Sequence, residues 1–165
     1  MRYFAGLALL LLAACADEPT AEEQAQIDEA AIAEVEQNQI PPPDLIDPQT
    51  MVFEDFERHG IFGVGCTFRP AGGGEDPVAV ALIEAGYMKI DDAIEQFAPD
   101  AGSAELPYGA RSKYDSGRHA MELSLLDPEG EQVGTETVRY DARLTLRDGR
   151  DRIVYDAEGA ALCGA

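Results

Sequence analysis

Three cysteines, Cys15, Cys66 and Cys163, are the residues whose type and spacing most restrict the chemistry of this 165-residue chain. A thiol can pack in a core, pair as a disulfide or serve as a nucleophile, and the spacing argues against zinc, which draws its cysteines from close pairs. The two histidines add no ligand set: His59 sits beside a helix end and His119 alternates with Met121 in a strand pattern. Gly72-Gly73-Gly74 is followed by Glu75-Asp76-Pro77, which puts negative charge where a phosphate cradle needs lysine and a helix start. Asp91-Asp92 and Asp148 with Asp151 offer carboxylates, but without calcium-loop spacing. No nucleophile elbow of the Gly-x-Ser-x-Gly type occurs. The expectation is therefore a protein that is not an enzyme, with no catalytic residue, no metal and no cofactor.

The stretch 102–114 is different in kind. It places Tyr108, Arg111, Lys113 and Tyr114 on a Gly- and Pro-interrupted segment of a very acidic chain. Aromatics with arginine on a rigid loop are the composition of protein-binding hot spots. The alternative is a structured connection, its cations paired to nearby acids and its tyrosines capping the core. Both readings stay open at this stage.

Composition narrows the partners. Twelve Lys and Arg against 32 Asp and Glu give a formal charge of −20. Such a surface repels nucleic-acid phosphate and anionic headgroups and attracts a basic protein partner. No nucleic-acid ligand is expected.

The N-terminus supplies an address. Met1-Arg2 is a short positive start, and Phe4 to Leu12 is an unbroken apolar run. That run is far shorter than the ~20 residues of a spanning helix and has the length of a signal-peptide core. Leu12-Ala13-Ala14-Cys15 resembles the bacterial lipobox, which implies cleavage before Cys15 and lipidation of that cysteine. Two or more acyl chains make a stable membrane anchor, since each buried methylene adds ~0.8 kcal/mol. With Cys15 lipidated, Cys66 and Cys163 remain as an even pair in an oxidising compartment, where a disulfide is expected. It would close a loop of about 100 residues, worth ~3–5 kcal/mol in the chain-entropy model. In lipoproteins of this class Asp beside the lipidated cysteine retains the protein at the inner membrane. Here Ala16 holds that place, which favours the inner leaflet of the outer membrane, facing the periplasm.

The elements that must position these residues follow in order. Residues 1–14 read as the signal and 15–50 as a lipidated, acidic tether. Thr20 with Glu23 is a capping-box pattern opening a helix that runs toward Gln39, with a thin stripe of Ile27, Ala31, Ile32 and Val35. Pro41-Pro42-Pro43 stops it as a stiff spacer. Asp47-Pro48 reads as the start of a short helix presenting Met51, Val52, Phe53 and Phe56, closed by Gly60.

Residues 51–165 form the globular domain. Phe62, Val64, Cys66 and Phe68 alternate with a nearly bare row, Gly63, Gly65 and Thr67. Further strands are expected at 78–83, 87–90, 93–97, 119–125 and 153–155, with one or two more over 137–140 and 142–146, and turns at Asp91-Asp92 and Asp148-Gly149. The fold class is mainly β, a small antiparallel barrel or sandwich of about seven or eight strands.

Gly109-Ala110-Arg111 with Tyr114, and Arg152-Ile153-Val154 before Cys163, resemble the membrane-bound c-type lysozyme inhibitor family, whose signature loop reads Ser-Gly-Ala-Arg-Tyr. Tyr108 stands where that signature has serine, and Ser112-Lys113 separates Arg111 from Tyr114. The resemblance implies an eight-stranded barrel with cysteines near both domain ends, and Arg111 or Lys113 entering a lysozyme's acidic cleft. The sequence thus predicts a lipid-anchored binding or structural module, with lysozyme inhibition as the alternative and an envelope hydrolase as a third reading.

Overall fold

The computed structural model describes residues 19–39 and 41–164. The chain divides into two compact units, one up to Pro42 and one from Pro43 onward. Residues 1–18, and with them the signal and Cys15, lie outside the described residues.

In the first unit, helix α1 spans Ala21–Gln39. The capping box is formed as expected: Thr20 N–H donates to Glu23 Oε2 at 2.8 Å, and Glu23 N–H donates to Thr20 Oγ1 at 3.3 Å. The bond from the Thr20 backbone holds the Glu23 carboxyl below its ordinary value. Ile27, Ile32 and Val35 are exposed along it.

The second unit is a closed antiparallel barrel. Its strands are β1 (Gly65–Pro70), β2 (Ala79–Leu82), β3 (Gly86–Ile90), β4 (Ala93–Pro99), β5 (Lys113–Asp115), β6 (His119–Leu125), β7 (Glu131–Gln132), β8 (Thr137–Asp148) and β9 (Ile153–Gly164). Pairing runs β6-β5-β4-β3-β2-β1-β9-β8, and β6 with β8 closes the ring, leaving β7 as an extra strand on β8. Of the two β architectures expected, the barrel is the one formed. Closure removes the unpaired edges of the eight principal strands.

Alternation fills the interior. Phe68, Met88, Phe97, Tyr114, Met121, Leu123, Leu144 and Leu146 are all at most 1% exposed and form one core, so the barrel holds side chains rather than a ligand cavity. Truncating such a residue, Phe97→Ala for example, costs ~3–5 kcal/mol. Cys66 and Cys163 are direct register partners of β1 and β9 and sit at disulfide distance, Sγ–Sγ 2.05 Å, clamping first strand to last across 97 residues.

A second, smaller core lies on the outside. Helix α2 (Phe53–His59) and its flanks pack Met51, Phe56 and Ile61 against Val80, Leu82, Tyr87 and Ile94. Gly60 ends the helix in the left-handed region at φ 64°, as expected. The start differs from the sequence expectation. Asp47-Pro48 caps nothing, because this stretch is extended and bonds to the barrel: Gln49 N–H donates to Lys89 O at 2.9 Å. The Gln49 side chain also ties Asp92, its Nε2 to Asp92 Oδ1 at 2.8 Å and its Oε1 to Asp92 N–H at 2.6 Å. The helix instead starts after Val52, whose N–H donates to Asp55 Oδ2 at 3.1 Å. Asp55 is buried and pairs with Lys89 at 3.0 Å, and the Lys89 hydrogen bond holds its carboxyl below the ordinary value. Phe53, expected inward, is 66% exposed, because the later start rotates it away from the barrel.

Strand limits also differ. Phe62 precedes β1 and is exposed, β5 and β7 are additional, 137–148 is one unbroken strand, and β9 continues to Gly164. The Asp91-Asp92 turn forms as expected, both residues at positive φ, as a two-residue hairpin with right-handed strand twist requires.

Candidate functional site

The four residues singled out on 108–114 sit at the barrel end where β9 finishes and β1 begins. The loop 100–112 leaves β4, folds across this end and enters β5. Its backbone is fixed from both sides: Leu106 N–H donates to Ala110 O at 2.8 Å, Ser112 N–H to Ala104 O at 2.9 Å, and Asp100 N–H to Lys113 O at 2.9 Å. Pro107 O lies 4.0 Å from Cys66 Sγ, so the loop lies against the disulfide.

Tyr114 is 1% exposed and belongs to the core. Its hydroxyl donates to Leu82 O at 2.7 Å and accepts Arg111 N–H at 2.8 Å, tying the loop to the β2–β3 turn. Burial pushes its phenol above the ordinary value. A Cβ on Gly86 would come within 3.0 Å of the Tyr114 ring and 2.7 Å of Met121 Cε, so a bare residue there lets the ring fit. Tyr114 is therefore withdrawn from the partner-facing group, and takes the role of a tyrosine capping the core.

The other three remain at the surface. Tyr108 adopts φ 61°, ψ 23°, a left-handed conformation that costs a non-glycine residue ~1 kcal/mol or more. Its hydroxyl donates to Glu136 O at 2.8 Å, across to the start of β8. Arg111, its side chain 30% exposed, reaches Ser103 O at 3.4 Å and Glu105 at 4.0 Å. Lys113 is half exposed and lies 3.6 Å from Glu122. These loose pairs in water contribute ~1 kcal/mol or less each, which leaves both cations available to a stronger acceptor.

The opposite end of the barrel holds a cluster that the sequence reading missed. Glu95 points inward from β4, in register with Phe97, and is 8% exposed. It accepts from the Ser116 hydroxyl, from His119 Nδ1 at 3.0 Å and from Arg118 at 2.9 Å. Burial opposes its ionisation, but the bonds from Ser116 and His119 and the charges of His119 and Arg118 outweigh it, holding the carboxyl below its ordinary value. Serine, histidine and glutamate here are not a relay, because hydroxyl and Nδ1 both address the carboxylate instead of the hydroxyl addressing the imidazole. His119 is partly buried on its strand, as its alternation with Met121 indicates. Nearby, Asp148 accepts the N–H of Arg150 and Arg152 and the Arg152 side chain at 2.8 and 2.6 Å, and the Arg152 bond leads the effects that pull its carboxyl down to about 2.

Among the described residues there is no group of three or more side chains able to hold a metal. No described helix is long and apolar enough to cross a membrane. Fold and site together define a small, side-chain-filled, up-and-down antiparallel barrel with a braced loop over its disulfide end. Comparisons with protein-family models, with curated proteins and with solved structures find no match.

Proposed function

We propose that this chain is an envelope lipoprotein, held by lipid on Cys15 and facing the periplasm from the inner leaflet of the outer membrane. Its barrel serves as a non-catalytic binding module. The observation that carries the binding role is the rim loop: a backbone fixed on both sides presents Tyr108, Arg111 and Lys113 in water, above a barrel packed with apolar side chains. Preorganisation of this kind lowers the ordering cost of association. The acidic surface attracts a basic partner, whose acidic groups the rim cations would meet. The anchor rests on the lipobox residues Leu12 to Cys15 and is tested by mass spectrometry of protein recovered from bacterial envelopes. The expected N-terminal peptide begins at a lipidated Cys15, and Cys15→Ala is released from the membrane fraction. An N-terminal peptide retaining residues 1–14 would refute the anchor.

Inhibition of a c-type lysozyme is the second reading. It is favoured by Gly109-Ala110-Arg111 lying on the rim of an eight-stranded closed barrel with its cysteine pair beside the loop. Ala110 is buried and orients Arg111 outward beside it. An inhibition assay compares wild type with Arg111→Ala: inhibition at micromolar protein that the variant loses supports this reading, and none with wild type removes it.

A further inference from the structure

The bare row that alternates with Cys66 and Phe68 has a counterpart on β9. Thr67 and Arg69 of β1, and Ala160, Leu162 and Gly164 of β9, share the outer face of the barrel. Two hollows lie along it, of about 500 and about 270 Å³, and Arg69 lines both. The larger also has Arg139 on one side and Asp127, Asp141 and Glu158 around it.

Ion pairs engage Lys89, Arg111, Lys113, Arg118, Arg143, Arg147 and Arg152, whereas Arg58, Arg69, Arg139 and Arg150 form none among the described residues, and of these four Arg69 and Arg139 line the trough. Arg69 Nε is buried without a hydrogen-bond acceptor, which is a costly state for a cationic donor. In a chain of charge −20, two guanidiniums without acid partners on one trough call for an acceptor from elsewhere.

We propose that this trough binds a short peptide with free termini, its α-carboxylate on Arg69 and Arg139 and its α-ammonium toward Asp141 and Asp127. A planar guanidinium fork matches a carboxylate in two parallel bonds. A plain anion fits less well, since three carboxylates line the same hollow and the net charge repels it. A sugar chain fits less well too, since neither hollow has an aromatic lining residue on which a ring would stack. The small side chains Ala160 and Gly164 let an extended chain lie close to the sheet. This deepens the reading of the barrel as a binding module and depends on it only in that respect. The trough lies on the β1–β9 flank, apart from Arg111, so its failure and that of the rim reading are separately visible.

The test uses the full chain, isotope-labelled, titrated with tetra-alanine bearing free termini and followed through the arginine side-chain Nε–H signals. Tetra-alanine is expected to shift Arg69 and Arg139, with C-terminal amidation weakening binding about tenfold or more and N-acetylation weakening it severalfold. Arg69→Gln is expected to lose about tenfold or more, and Arg139→Gln, at an exposed position, gives the same test if the first variant unfolds. Arg150→Gln, outside both hollows, is expected to leave the titration unchanged. The proposal is overturned if millimolar tetra-alanine moves neither signal, if the amide binds as well as the free acid, or if both arginine variants retain affinity. Binding of a chitin oligosaccharide in place of the peptide would also overturn it.

Discussion

The two ends of the barrel are closed by different physics. At the disulfide end, a covalent bond, a buried tyrosine and a loop of backbone hydrogen bonds hold β1, β2, β5 and β9 together. At the other end, tight turns surround an inward-facing carboxylate that hydroxyl, imidazole and guanidinium satisfy. The first arrangement has no ionisable group that changes charge near neutral pH, while the second depends on Glu95 keeping its charge. The end braced without titrating charge carries Tyr108, Arg111 and Lys113, the residues of the proposed binding face.

The largest expected effect breaks the first end. Reducing the Cys66–Cys163 pair, or replacing both by serine, should lower stability by ~3–5 kcal/mol in denaturant unfolding. Wild type under denaturing, non-reducing conditions should show neither Cys66 nor Cys163 as a free thiol.

Glu95→Gln attacks the second end and should cost ~1–3 kcal/mol at pH 7, because it removes a buried anionic acceptor from three donors. Here pH sharpens the contrast. The depressed folded-state value means that Glu95 stabilises above the unfolded glutamate value of ~4.3, and that this contribution fades as pH falls through the folded value. The gap between wild type and Glu95→Gln in thermal unfolding should therefore narrow below pH ~4. The cost of cysteine replacement should not change over the same range.

Tyr114→Phe is the finer probe of the disulfide end. It keeps the ring and deprives Leu82 O and the Arg111 N–H of their partner, so a loss of ~1 kcal/mol is expected. Amide hydrogen exchange should accelerate across 100–112 and leave the Glu95 end unchanged. The smallest expected effect is Arg111→Ala, whose loose pairs predict a change within ~0.5 kcal/mol by denaturant unfolding.

Much of the barrel was legible because its inward positions alternate cleanly. Phe68, Met88, Met121 and Leu144 are apolar with polar or small neighbours, and Asp91-Asp92 marks its hairpin plainly. The end of β9 was hidden, since Ala-Glu-Gly-Ala-Ala-Leu has little intrinsic strand preference and is held by ladders to β1 and β8 on either side. The three-residue β5 carries too short a pattern to register. The Asp47-Pro48 signal was real locally, but the bonds of Gln49 to Lys89 and Asp92 overrode it.

Within the loop singled out, composition could not separate buried from exposed aromatics: Tyr114 is 1% exposed and Tyr108 36%. Tyr114 lies on β5 opposite the bare Gly86, whereas Tyr108 sits in a turn at positive φ. The Glu95 cluster left one usable trace: Glu95 and His119 each share the inward parity of their strand, with Phe97 and Met121, at a strand's outer turn. Charges at such positions need partners, and the partners Ser116 and Arg118 come from a turn with no pattern of its own.

The disulfide end is the proposed face for a partner. A photo-crosslinking residue placed at Glu105, on the rim loop, and another at Arg150, on the opposite turn, test it directly in intact envelopes. A discrete protein adduct is expected from position 105, weakened by Arg111→Ala, and none from position 150. Adducts of equal yield from both ends, or none from position 105, would contradict it.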